Sequence, residues 1–421
     1  MTAYLGFLRC GRCEREYDES SAYALCAPCA ADGVNLYPSP VYDLAGATIP
    51  SAPDPLSTAG IARFAEFLPI DRSTFVSLGE GGTPLLALPA AGALAGLPEL
   101  RLKDESRNPT WSYKDRLAAI AVNKAAQQGA ETVVVSSTGN HGAAIAAYAA
   151  KLGLRCVVLT IASVPLAMKV LIQSYGATLV ALQEPAQRWT VMREGVEQRG
   201  WVPMSGYVGP PSGSNPFGVD GYKTIAYELW EQYGGKLPDV IVAPVAYGDG
   251  IAGLVRGCED LVSLGLVPEL PRIVAAEPYD PFRAALEERE PSPAPAEPTV
   301  AFSIAALQAT WQGVAALRRT NGFAASADNA EVMAAQQVLS SLEGAFLEPS
   351  SAITYAVLPQ LIRSGVVSDS DSVVLLGTST GLKDIGAAAA RLPEVPVIEP
   401  TLHAFDEAVS TAEASLPGTR P

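Results

Sequence analysis

The chain has 421 residues, 48% apolar and 17% charged, with a net charge of -15. That length exceeds what one core usually organises, and the apolar content excludes a disordered chain. The acidic balance disfavours nucleic-acid and anionic-membrane partners, and no apolar run approaches the roughly 18 residues of a spanning helix. A cytoplasmic protein is expected, since MTAYLGFLRC lacks a basic region followed by an apolar one.

Four of the six cysteines open the chain as two Cys-x2-Cys pairs, Cys10 with Cys13 and Cys26 with Cys29. This spacing suits tetrahedral thiolate ligation of zinc, and four thiolates leave no open position for catalysis. The intervening Glu14, Glu16, Asp18 and Glu19 argue against nucleic-acid recognition by such a module. Residues 37–75 are rich in Pro, Ser and Ala and read as a wrapping connection, with a boundary near residue 45. From about residue 100, β-branched runs at 132–135, 156–160, 178–182, 240–245, 272–276 and 372–376 alternate with Ala-rich stretches such as 117–130 and 143–152. The alternation predicts parallel strands with helical crossovers, an α/β layered fold. Cys156 falls inside one run and reads as a buried thiol. The stretch 287–298, EEREPSPAPAEP, reads as an exposed loop.

Four loops could carry chemistry. In KDESRNPTWSYKDR, Lys103 to Arg116, the turn at Asn108-Pro109-Thr110 delivers Lys114 to a helix start. The helix dipole there favours the neutral amine that a Schiff base needs, although a surface lysine is the plainer alternative. Ser137, Thr138, Gly139, Asn140 and His141 follow the run 132–135 and open a helix, so their amides can meet a carboxylate; a tight turn reads equally well. Ala246, Tyr247, Gly248, Asp249 and Gly250 follow the run 240–245, and their glycines permit backbone contact with a phosphate. Thr378 and its neighbours in LGTSTGL follow the run 372–376 as a hydroxyl binder or a cap. With only His141 and His403 in the chain and no G-x-S-x-G elbow, a serine-hydrolase relay is a poor reading. Phosphate-binding P-loop and dinucleotide fingerprints are also lacking.

In this order the loops, together with GEGGTPLL, NPFGVDGYKT, EPSSA and GTSTGLKD, resemble the fold-type II pyridoxal-phosphate enzymes, and the threonine synthases most closely, from about residue 6 to about residue 390. The resemblance implies a tryptophan-synthase-β-like architecture of two open parallel-sheet α/β domains. A zinc-ribbon-like module would span 1–45, a larger cofactor-binding domain 46–100 and 206–400, a smaller mobile domain 101–205 and a tail 401–421. It implies that Lys114 forms the Schiff base, Asn140 meets the pyridine hydroxyl, residues 246–250 hold the phosphate and Thr378 faces the pyridine nitrogen. Ser137, Thr138, Gly139 and His141 would bind the substrate carboxylate, and a homodimer is expected by analogy.

The implied reaction is β/γ elimination or replacement on an amino acid, O-phosphohomoserine to threonine first. The alternatives are serine/threonine dehydratase or diaminopropionate ammonia-lyase chemistry, a related β-replacement, or a binding protein that kept only the fold. Two departures bear on the choice. Gly218 stands where threonine synthases commonly carry Arg, and 183–186 read Gln-Glu-Pro-Ala in place of their Gly-Asn-Phe-Asp. Lys103 and Lys169 are the cations left to meet a substrate phosphate.

Overall fold

The computed structural model describes residues 3–50, 60–209, 211–293 and 297–415. Three sheets organise them. The first is antiparallel, in the order β2-β1-β3, with β1 at Tyr4–Arg9, β2 at Glu16–Asp18 and β3 at Ser39–Tyr42. It forms the cysteine module and lies against the main body: Glu19 pairs with Lys124 at 2.8 Å, and the Tyr42 hydroxyl donates to Asp220 at 2.5 Å.

The six-stranded sheet is ordered β12-β11-β10-β13-β5-β4. Its strands are β4 Leu85–Ala87, β5 Leu100–Asp104, β10 Val240–Pro244, β11 Arg272–Glu277, β12 Phe323–Ser326 and β13 Val373–Gly377. All pairings are parallel except β4 with β5. The four-stranded sheet is fully parallel, β8-β7-β6-β9, from β6 Thr132–Ser136, β7 Arg155–Ile161, β8 Thr178–Leu182 and β9 Val202–Pro203. β10 and β13 are buried along their whole length, the pattern of strands covered by helices on both faces, which is why their sequences read as unbroken apolar runs.

The predicted runs correspond to β6, β7, β8, β10, β11 and β13, each within about two residues at its ends, the usual uncertainty of element boundaries. The first of the two helices begins at Lys114, as expected, and the second at Asn140, where the loop residues themselves enter the first turn ahead of the Ala-rich stretch 143–152. Gly153, at φ +70°, ends the helix Asn140–Leu152 in the left-handed conformation that glycine adopts without strain. One correction follows. The smaller domain does not start at residue 101: β5 pairs with β13 from Leu100 to Asp104 and so belongs to the larger sheet. Its sequence, LRLKD, is too polar to read as a central strand because its lysine is neutralised by partners distant in sequence. Within the tail 401–421, Leu402–Ser415 is helical, and 416–421 lie outside the described residues. The stretch 287–298 is exposed where described, with 294–296 outside the description. Among the described residues, no helix is long and apolar enough to cross a membrane.

Candidate active site

Parallel strands send their carboxyl-end loops to one edge, and here loops of both sheets meet around a cavity of about 590 Å³. Every candidate cofactor- or substrate-contacting residue from the sequence lines it: Lys114, Ser137, Thr138, Gly139, Asn140, His141, Ala246, Tyr247, Gly248, Asp249, Gly250 and Thr378.

Lys114 begins the helix Lys114–Gln127, half-buried, with Nζ 4.8 Å from the centre of the Tyr113 ring and 5.6 Å from that of Tyr222. Among the described residues no carboxylate forms an ion pair with it. The turn that delivers it is held rigidly. Asp115 accepts the Thr110 N–H and hydroxyl, both at 2.9 Å, and Asn108 donates to Glu105 while accepting Gly81 N–H. Beneath lies a buried ion cluster that sequence reasoning did not find. Arg116 grips Glu105 and Glu228 with four bonds of 2.7 to 2.8 Å, and Lys103 donates to Glu228 at 2.8 Å and to the Thr83 carbonyl at 2.7 Å. Two cations and two carboxylates balance.

This cluster removes Lys103 as a source of charge for a substrate phosphate, because its ammonium is buried and fully engaged. Lys169 lies outside the cavity lining and donates to the Ala162 carbonyl. The Gly218 departure is steric: a Cβ there would lie 2.9 Å from Ala121 Cβ and 3.0 Å from Leu117 Cγ, so no side chain fits.

The loop after β10 makes an anion cradle. Gly248 takes φ +94°, and the helix Asp249–Ser263 forms its first internal bond from Ala252 N–H to Gly248, leaving the amides of 249, 250 and 251 without helix partners. The cradle has no room for side chains. A Cβ on Gly248 would lie 2.7 Å from Gly313 Cα, and one on Gly250 2.9 Å from the Tyr113 ring. The Asp249 carboxylate turns aside to Ser214 N–H and Gln312, at 2.9 and 2.7 Å, so it does not oppose an anion at the amides.

Asn140 is fixed from the larger sheet's loops. Lys383 donates to its Oδ1 at 2.7 Å and Ser379 at 3.3 Å, which orients Nδ2 toward Glu348 at 3.2 Å. Burial, against the pull of Glu348 and Asp115, pushes the Lys383 pKa down to about 8. The Ser137 hydroxyl accepts Gly139 and Gly142 N–H at 3.2 and 2.9 Å, closing the loop into a turn. His141 is partly exposed, yet its Nε2 is buried without a hydrogen-bond partner. Burial first, then the charge of Lys114, hold its pKa down at about 3, so the imidazole is neutral. Thr378 shares a 2.9 Å hydrogen bond with Ser351.

The four cysteine sulfurs lie within 4.8 Å of one another, Cys10 to Cys29 at 3.6 Å and Cys13 to Cys26 at 3.4 Å. Tetrahedral zinc with bonds of ~2.3 Å would place its sulfurs ~3.8 Å apart, so the set could hold such an ion. Trp311 packs on this cluster, and its helix, Trp311–Arg319, is capped by Thr310, whose hydroxyl also donates to the Tyr247 carbonyl. Purified protein is expected to contain about one zinc per chain by atomic absorption, and Cys13→Ser to lower both zinc content and melting temperature.

Comparison with known proteins follows the same line. Residues 76–379 match the family "Pyridoxal-phosphate dependent enzyme". Threonine synthase of Methanosarcina acetivorans is 31% identical over 96% of this chain and 98% of its own length; that of Methanocaldococcus jannaschii is 32% identical over 80% and 84%. Among solved structures, maize serine racemase aligns with a TM-score of 0.61 at 22% identity, over 73% of this chain and 90% of its own. An L-serine ammonia-lyase from Rhizomucor miehei does so with 0.61 at 18%, over 79% and 98%. These structural likenesses speak to the fold.

Proposed function

The chain belongs to the pyridoxal-phosphate dependent enzymes, and on that premise we propose that it is a threonine-synthase-like enzyme that eliminates or replaces a group at the β or γ carbon of an amino acid, with O-phosphohomoserine as first substrate. The observation that carries the reading is the meeting of Lys114 with two amide-lined helix starts, Asn140 and Asp249, in one cavity. The threonine synthase of Methanosarcina acetivorans, whose likeness spans 96% of this chain, supports it. When bound, pyridoxal phosphate supplies an electron-withdrawing ring that acidifies the substrate's α hydrogen.

The residues divide the work. Lys114 would hold the cofactor covalently, and its amine would take and return protons at the substrate carbons. The amides of 249–251 hold the cofactor phosphate, for which the bare cradle at Gly248 and Gly250 leaves the room. Asn140, its Oδ1 occupied by Lys383, offers Nδ2 to the ring hydroxyl. Thr378 would meet the ring nitrogen with a neutral hydroxyl, and residues 137–141 would take the substrate carboxylate. Neutral His141 places no second positive charge beside Lys114. In the full reaction water enters as phosphate leaves, giving threonine and phosphate in equal amounts.

A dehydratase is the second reading, favoured by the Asn140-His141 pair and by Gly218, where no phosphate-binding arginine can be accommodated. Assays with O-phosphohomoserine, threonine, serine and diaminopropionate separate the two. Equimolar phosphate and threonine from the first supports the synthase; a 2-oxo acid and ammonia from the others, without turnover of the first, replaces it.

Gly248→Ala tests the cradle. A left-handed non-glycine residue costs about 1–2 kcal/mol, and its Cβ meets the backbone of Gly313. Cofactor affinity, titrated by its visible absorbance, is expected to fall about tenfold or more.

A further inference from the structure

The cysteine module and the anion cradle meet across one short helix, Trp311–Arg319. On one side Trp311 packs against the buried cluster of Cys10, Cys26, Cys29 and Leu36. Its Cζ3 lies 3.4 Å from where a Cβ on Gly11, inside the first Cys-x2-Cys pair, would stand. On the other side its neighbours in sequence reach the cradle. The Thr310 hydroxyl donates to the Tyr247 carbonyl, and Gln312 Nε2 donates to Asp249 Oδ1 at 2.7 Å. The Gly313 Cα lies 2.7 Å from where a Cβ on Gly248 would stand. Successive helix residues point about 100° apart, so a single turn faces both ways. The Gln312 bond matters because Asp249 opens the helix whose free amides form the cradle. Held aside by Gln312 and by Ser214 N–H, its carboxylate leaves those amides to a bound anion; released, it would compete for them and repel a phosphate.

We propose that the metal-bound cysteine module positions the cradle, so that zinc at Cys10, Cys13, Cys26 and Cys29 tightens the hold of the 249–251 amides on the cofactor phosphate. With the two Cys-x2-Cys pairs tied together, the surface under Trp311 is fixed, and Trp311 in turn fixes Thr310, Gln312 and Gly313 against the loop 246–250. Trp311 and Gln312 are positioning residues: neither lines the cavity, and each acts through the cradle. Zinc and cofactor affinities are then linked through a continuous set of contacts, and such a linkage is reciprocal. The inference rests on the assignment of the 249–251 amides to the cofactor phosphate, which Gly248→Ala tests by itself.

The test compares zinc-loaded protein with protein stripped by a chelator that is then removed, folding being checked by far-ultraviolet circular dichroism. Cofactor affinity is read from the visible absorbance, and zinc affinity from competition with a chelating dye. Stripping is expected to weaken cofactor binding roughly five- to hundredfold, and removing the cofactor to weaken zinc by the same factor. Trp311→Ala should keep about one zinc per chain yet reduce the linkage to less than about twofold, its loaded form binding cofactor as weakly as the stripped wild type. Gln312→Leu should weaken the cofactor with zinc in place. A chain that takes up no zinc overturns the proposal, as does equal cofactor affinity in folded loaded and stripped protein, or a linkage that survives Trp311→Ala. Where stripping unfolds the chain, the two loaded variants decide, and wild-type cofactor affinity in both overturns it. If Gly248→Ala still weakens the cofactor, only the linkage is lost; if it does not, the cradle assignment falls as well.

Discussion

Lys114→Ala is expected to purify as a folded protein without the visible absorbance of bound cofactor, and to lose turnover by on the order of 10⁴-fold or more. Two physical features underlie this. The amine stands at a helix start on the cavity wall, and it lies over two tyrosine rings with no ion-paired carboxylate among the described residues. No other lysine lines the cavity among the described residues, so no neighbour can take over the covalent role. Far-ultraviolet circular dichroism confirms folding, and the absorbance after cofactor addition decides the outcome. Retention of the wild-type spectrum would remove Lys114 from the assignment.

The second large effect is on stability. Glu228→Gln leaves Arg116 and Lys103 buried with one carboxylate, Glu105, between them. Breaking a buried pair by removing one partner costs about 3–5 kcal/mol, because the remaining charge has lost its solvation without compensation. The expected result is an earlier urea midpoint; Glu131→Gln, at an exposed pair, should move it little. The pH dependence has a definite sign. Burial pushes the Glu228 carboxyl up, but Arg116 and Lys103 outweigh it and hold the pKa below the ordinary carboxylate range. Its contribution is therefore present above the ordinary carboxylate pKa of ~4.3 and lost as pH falls through the folded value. The wild-type advantage should be full at neutral pH and shrink on acidification.

The legible part of this protein was what local sequence encodes. The runs 240–245 and 372–376 are apolar because both faces of β10 and β13 are covered, and the glycines at 248 and 250 are required by a backbone that leaves no space for Cβ. Such signals lie within a few residues of the feature they predict. The opaque part depends on partners far apart in the chain. Lys103 looked like an available cation because Glu228, 125 residues away, is invisible beside it. Asn140 gave no hint of Lys383, nor β5 of β13, for the same reason.

The two-sheet construction of the cavity also has a thermodynamic side. Asn140 and the 137–141 loop come from the smaller sheet, while the 246–250 loop and Thr378 come from the larger. A ligand held by both adds a bond between two units that already meet through their packing and through hydrogen bonds such as those of Tyr148 to Glu80 and of Lys383 to Asn140. Binding to the folded state alone adds RT ln(1 + [L]/Kd), about 4 kcal/mol at a thousandfold excess over Kd. The melting temperature of this protein is then set jointly by the chain and by the free cofactor around it, so two preparations of one sequence can differ in stability without differing in a single residue.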